Sequence, residues 1–143
     1  CDWSSDVCSS DLGNRQLARD LGAAFVGGTY DMPPRPLDSA IVFAPAGEIV
    51  PAALRATAPG GTVSLAGIHM SDVPAMSYEE YLFHERDLRT VTANTRADGV
   101  EFLRLAERLQ LSARITAYGF DEAATAVDDL RSGRASGSLV LTR

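Results

Sequence analysis

Lysine is absent from this chain, and all 13 basic residues are arginine. Cysteine is scarce as well: Cys1 and Cys8 are the only two, and they share the opening stretch with the single tryptophan, Trp3. No apolar run of about 18 residues exists to span a bilayer, and no basic start followed by an apolar stretch marks a secretory leader. The chain therefore reads as cytoplasmic, with no membrane partner. A formal charge of -6 argues against nucleic acid, whose phosphates call for a clustered basic face. The preference for arginine over lysine has no structural explanation.

What is present is ordinary for a folded protein. The chain has 143 residues, 45% of them hydrophobic and 22% charged, enough for one domain or one piece of a larger protein. The opening CDWSSDVCSSDL is the exception. Six residues separate its cysteines, which fits neither the C-x₂₋₄-C spacing of zinc knuckles nor a redox C-x-x-C. The peptide instead resembles the forward translation of a common short-read sequencing adapter. Residues 1–12 are accordingly expected to be non-native, to pack against nothing reproducible, and to precede a native sequence that starts near Gly13. They carry three acids, Asp2, Asp6 and Asp11, so 16 acids face 13 bases from Gly13 onward. No cysteine remains there, which excludes a thiolate zinc site.

From Gly13 the pattern alternates between helix and strand. NRQLARDLGA has Leu17 and Leu21 four apart and Gly22 as a stop, the mark of a helix end. AAFVG reads as a short strand, and TYDMPPRP as a loop that Pro33, Pro34 and Pro36 keep irregular. Leu37–Ala44 is a near-continuous apolar run of the kind a parallel strand covered on both faces requires. Gly47–Gly61 reads as a helix closed by Pro59, Gly60 and Gly61, and Thr62–Ile68 as a second buried strand, giving a βαβ crossover. YEEYLFHE predicts a short helix and Asp87–Ala93 a strand. NTRADGVEFLRLAERL predicts a helix capped by Thr95 or Asp98, with Val100, Leu103, Ala106 and Leu109 as an apolar stripe. In the tail, strands Ile115–Tyr118 and Ser138–Thr142 flank a helix whose inner face is expected to be Phe120, Ala123, Val127 and Leu130, with Asp128 and Asp129 facing solvent.

Such an order predicts an α/β parallel sheet, in which ligands sit beyond the carboxyl ends of the strands. Those ends are FAPAGE, LAGIHMS and TANTRAD, each small or polar after an apolar strand. Small residues admit a ligand close to the backbone, so the three point to one cleft; tight turns with no ligand would have the same composition.

The ordered phrases LARDLGAAFVG, LDSAIVFAPAGEIVPAALRATAPGGTVSLAGIHMSDVPA, LRTVTANTRADGVEFLRLA and EAATAVDDLRSGRASGSLVL resemble the C-terminal half of a zinc-dependent alcohol dehydrogenase of the medium-chain dehydrogenase/reductase superfamily. The resemblance covers essentially all of residues 13–143. It implies a partial Rossmann-like, doubly wound sheet lacking its first two strands, followed by a small βαβ segment of the catalytic domain. The implied division is 1–12 non-native, 13–110 partial dinucleotide-binding domain and 111–143 catalytic-domain segment. It implies a nicotinamide cofactor, NAD or NADP, with zinc in the N-terminal half that has no counterpart here. The glycine-rich phosphate turn and the residue that sorts NAD from NADP have no counterpart either. An alcohol or aldehyde substrate and a homo-oligomer, paired through the LRTVTA edge, are implied for the whole protein.

The same resemblance assigns cofactor contacts to Ala44, Pro45 and Ala46, to Ala66, Gly67 and Ile68, and to Thr92, Ala93, Asn94 and Thr95, mostly through main chain. An arginine that reaches the pyrophosphate in some members has its counterpart at Gly137, with Arg134 nearby. No catalytic or metal-binding residue can be assigned. His69 falls at the cleft edge as a possible contact or a solvated loop residue, and His84 in a charged, surface-type helix. Three activities stay open: an alcohol dehydrogenase part without activity by itself, a zinc-free quinone or enoyl reductase, and a non-catalytic nucleotide-binding module. In the family order 3-2-1-4-5-6, strands 2 and 1 separate AAFVG from LDSAIVFA. Without them, either the edge of Leu37–Ala44 stays open or a non-family pairing closes the gap.

Overall fold

A computed structural model describes residues 6–8, 12–132, 134 and 137–143. The chain separates into two compact units, one up to Ala93 and one from Asn94 to Arg143. The helix that begins at residue 96 falls within the second of these.

In the first unit, strand β1 (Asp6–Cys8) pairs in parallel with β2 (Phe25–Gly27), with helix α1 (Leu12–Asp20) between them. Residues 6–8 of the adapter-like stretch thus pair with β2; its residues up to Ser5 and from 9 to 11 lie outside the described set. Helix α1 stops because Gly22 adopts φ +90, letting Ala23 donate to Ala18 O and Gly22 to Arg19 O.

The main sheet has three parallel strands in the order β3 (Leu37–Val42), β4 (Thr57–Leu65) and β5 (Asp87–Thr90). Helix α2 (Val50–Ala56) makes the crossover between the first two, and a single turn, α3 (Tyr78–Tyr81), precedes the third. Helix α2 ends earlier than its sequence predicts. Thr57 turns to extended backbone and its hydroxyl donates back to Ala53 O at 2.7 Å. Because Pro59 disfavours helix in the residue before it, Ala58–Gly61 becomes an irregularity within β4, so that Leu37 pairs with Thr57 but Ser39 with Thr62. Gly60, at φ +74, takes the left-handed conformation that this detour needs.

The core lies between α2 and the sheet: Val42, Val50, Leu54, Val63, Leu65 and Tyr81 pack together, with Val50, Leu54 and Val63 wholly buried. Each such side chain contributes roughly 1.5–3 kcal/mol. Arg86 ties the lower end of this unit by donating Nε to Thr57 O at 2.8 Å and Nη1 to Glu80 O at 3.2 Å. Strand β3 is not covered on both faces as its apolar sequence predicts. Among the described residues it pairs only with β4, which makes it a sheet edge there, and Ile41 and Phe43 stand exposed. The gap to β2 is left open, as one of the two expected outcomes.

The second unit contains α4 (Arg96–Arg108), β6 (Ile115–Gly119), α5 (Ala123–Arg131) and β7 (Ser138–Thr142), with β6 and β7 parallel. The inner face of α5 differs from expectation. Ala126 is its buried residue, whereas Phe120, Val127 and Leu130 are exposed. Asp129 does not face solvent: it accepts from the Tyr118 hydroxyl of β6 at 2.9 Å. Small alanines bring the helix close enough for that bond. Among the described residues no helix is long and apolar enough to cross a membrane.

Candidate functional site

Three strands that run the same way release their following turns at the same sheet end. Val42 pairs with Leu65 and Leu65 with Thr90, so β3, β4 and β5 finish level. The ladder runs one residue further, with Ala66 N donating to Val42 O at 2.8 Å and Val91 N to Leu65 O at 3.0 Å. Ala44–Ala46, Ala66–Ile68 and Thr92–Ala93 therefore emerge side by side at one carboxyl end. Ala44, Pro45, Ile68, Thr92 and Ala93 are exposed, while Ala46, Ala66 and Gly67 are half-buried. Ile68 is 88% exposed, an apolar side chain standing at the mouth of this end with little covering it.

The first two turns touch. A Cβ on Gly67 would lie 3.2 Å from Ala44 O, and one on Gly47 would collide with the carbonyl oxygens of Ser71 and Asp72. Gly47 N donates to Ser71 Oγ at 2.9 Å, and Ser71 N donates to Pro45 O at 3.3 Å. Sequence reading overlooked this contact; its signal is the glycine at the end of APAG, placed where a strand exit must let another backbone approach.

Asn94 and Thr95 open the second unit. Thr95 caps α4: its hydroxyl accepts from Asp98 N at 3.2 Å and donates to Asp98 Oδ2 at 2.7 Å, and its own amide donates to Asp98 Oδ2 at 2.7 Å. Both the hydroxyl and the amide of Thr95 are thus engaged in the cap. The bonds from Thr95 hold the Asp98 carboxyl below its ordinary value, the backbone amide contributing most.

His69 is exposed on the segment leaving β4. His84 lies past α3 at the opposite, amino end of the sheet, where its carbonyl accepts from Gly60 N and its ring meets Phe83 edge-on at 5.4 Å. Gly137 has φ +79, and any Cβ would strike Arg114 O, which is why no arginine can stand there. Arg134 does not offer a free replacement: Nε and Nη2 reach Asp129 Oδ1 at 2.9 and 2.7 Å. That guanidinium, and then the Tyr118 hydroxyl, lower the Asp129 carboxyl, while the bond to Asp129 raises Tyr118. Among the described residues, no group of three His, Cys, Asp or Glu could hold a metal ion.

No protein-family model matches the chain. It is 44% identical over 127 residues to the probable alcohol dehydrogenase AdhA of Mycobacterium tuberculosis, a match that covers 89% of this chain and 37% of that protein. Among solved structures it superposes on cinnamyl alcohol dehydrogenase from Sorghum bicolor with TM-score 0.76 and 21% identity, over 96% of this chain and 40% of that one. The benzyl alcohol dehydrogenase of Acinetobacter calcoaceticus gives TM-score 0.73 and 18% identity, over 96% and 42%. An alcohol dehydrogenase of the archaeon Aeropyrum pernix gives 0.74 and 17%, also over 96% and 42%. The fold is thus a partial Rossmann-like one, and the chain, spanning 37% of the length of its mycobacterial relative, is similar to alcohol dehydrogenases in both sequence and structure.

Proposed function

We propose that this chain supplies the nicotinamide-facing side of a dinucleotide site in an oxidoreductase that moves a hydride between an alcohol or aldehyde carbon and NAD or NADP. The observation that carries this reading is the emergence of three small-residue turns at one carboxyl end of a parallel sheet. Ala44–Ala46 and Ala66–Ile68 fit a ligand held by close backbone approach, and Ile68 offers an apolar surface to one face of a flat ring. Thr92, Ala93 and Asn94 are assigned to the carboxamide, with Thr95 kept for its helix cap. The bound nicotinamide supplies the hydride acceptor or donor, and these residues orient it.

The described residues do not fit a zinc ion, so no step in this chain passes through one. Zinc, the phosphate-binding glycine turn and the catalytic residues are assigned to parts of the protein outside this chain. The 44% identity to a protein named as an alcohol dehydrogenase favours that activity over a zinc-free quinone or enoyl reductase. A cytoplasmic location and a homo-oligomer paired through the β5 edge complete the reading.

The test is a titration of NAD, and separately NADP, into isotopically labelled protein. Saturable shifts are expected at the amides of Ala44, Ala46, Ala66–Ile68, Thr92 and Ala93, with Thr62 and Asp87 at the other end unmoved. Shifts centred on that other end would remove the assignment. The chain alone is expected to form no NADH or NADPH from alcohols; turnover by it would place catalytic residues here after all.

A further inference from the structure

The segment leaving β4 folds back over the turn leaving β3 and is fastened there at two points, through the Ser71 amide to Pro45 O and through the Ser71 hydroxyl oxygen to the Gly47 amide. Gly47 is buried beneath it, with the Ser71 and Asp72 carbonyls against its Cα. Of this segment, Met70 packs against the core cluster, whereas Ile68, His69, Ser71 and Asp72 are exposed. Met70 is thus the apolar anchor of the segment, and detaching residues 67–72 costs that contact and the two Ser71 bonds but moves no strand of the sheet.

We infer that residues 67–72 form a strap, closed over the Ala44–Gly47 turn by the Ser71–Gly47 clasp, that opens as a local unit without unfolding the β3-β4-β5 sheet. Opening frees the Gly47 amide and the Pro45 carbonyl and carries Ile68 and His69 away from the strand exits. The clasp thereby sets how these two turns lie against each other at the carboxyl end. Local opening of this kind belongs to segments with few buried contacts, while strands of the core open only with the whole fold. The strap goes beyond the cofactor reading and stands whether or not a nicotinamide nucleotide binds, because its readout needs no ligand.

Amide hydrogen exchange of the full chain, followed by mass spectrometry, tests it with Ser71→Ala, Ser71→Thr and Gly47→Ala. In Ser71→Ala, peptides covering 46–50 and 67–72 should exchange about fivefold faster, the size of one net hydrogen bond. The β4 peptide covering 62–65 should keep its rate. Ser71→Thr, which keeps the hydroxyl, should restore the original rates. Gly47→Ala, which forces the strap off from the other side, should reproduce the Ser71→Ala pattern. Unchanged exchange around Gly47 in Ser71→Ala overturns the clasp, and so does failure of the threonine variant to restore it. A matching rise across 62–65 in Ser71→Ala overturns local opening. If Gly47→Ala does not fold, the two Ser71 variants decide the matter alone.

Discussion

The two units of this chain are held together by different means. The first has a true core, in which α2 drives Val50 and Leu54 onto Val63, Leu65 and Val42 of the sheet. Among the described residues the second has only Ala126 buried; the stripe on α4 is in the open, with Leu103 68% exposed and no residue of that helix buried. What orders it is a set of local polar contacts: the Thr95–Asp98 capping box, the Tyr118–Asp129–Arg134 chain and the short β6–β7 ladder. Burial is non-local and cooperative, whereas caps and neighbouring ion pairs give small increments each. The first unit is therefore expected to respond strongly to apolar truncation and the second to the loss of single hydrogen-bonding groups.

The sharpest break comes from Leu54→Ala, which removes a wholly buried side chain and is expected to cost about 2–5 kcal/mol. Urea denaturation followed by circular dichroism would show it; a loss under about 1 kcal/mol, the typical effect of a surface-type change, would deny that the α2–sheet core dominates. Next in size is Ala126→Leu, which overfills the close approach of α5 to β6 and should cost about 1–3 kcal/mol. If it is tolerated, the spacing between α5 and β6 is looser than the Tyr118–Asp129 bond implies.

Thr95→Ala removes the hydroxyl of the α4 cap and should cost about 1 kcal/mol of helix stability, seen as lost helical ellipticity and faster amide exchange over 96–99. Equal exchange in both proteins would show that the cap contributes nothing. The smallest effect is on acidification. Asp98 and Asp129 have folded pKa values below their ordinary 3.8, so their stabilisation is fully present above about pH 4 and is lost as pH falls through the depressed values. Protection factors over 96–99, taken relative to the intrinsic exchange rate at each pH, should fall across that window in the parent chain. In Asp98→Asn, which cannot titrate, that fall in protection should disappear.

Much of the architecture is legible in the sequence. Period and punctuation locate β3, α4, β6 and β7 closely, because an apolar run ended by Gly or Pro and an apolar stripe begun by Thr95 are local properties of the chain. Boundaries failed where a local rule met a tertiary one. The sequence carries the helix after Gly47 through to Pro59, but Thr57 turns extended to pair with Leu37. The inner face of α5 was read from its large apolar residues. A lone two-stranded ladder instead took the alanine face and left Val127 and Leu130 outside.

The candidate site divides in the same way. Alternating strands and helices, with small residues at three strand exits, determined by themselves that one sheet end would gather Ala44–Ala46, Ala66–Ile68 and Thr92–Ala93, since parallel strands joined by crossovers cannot do otherwise. Side-chain assignments at those exits were another matter. Thr95 became a helix cap, Arg134 became a partner of Asp129, and Gly137 proved closed to any side chain by Arg114. The clasp of Ser71 on Gly47 joins residues 24 apart. Periodicity reports which face of one element is apolar; which two backbones meet at their ends depends on how separate elements pack, and that was decided only by the tertiary structure.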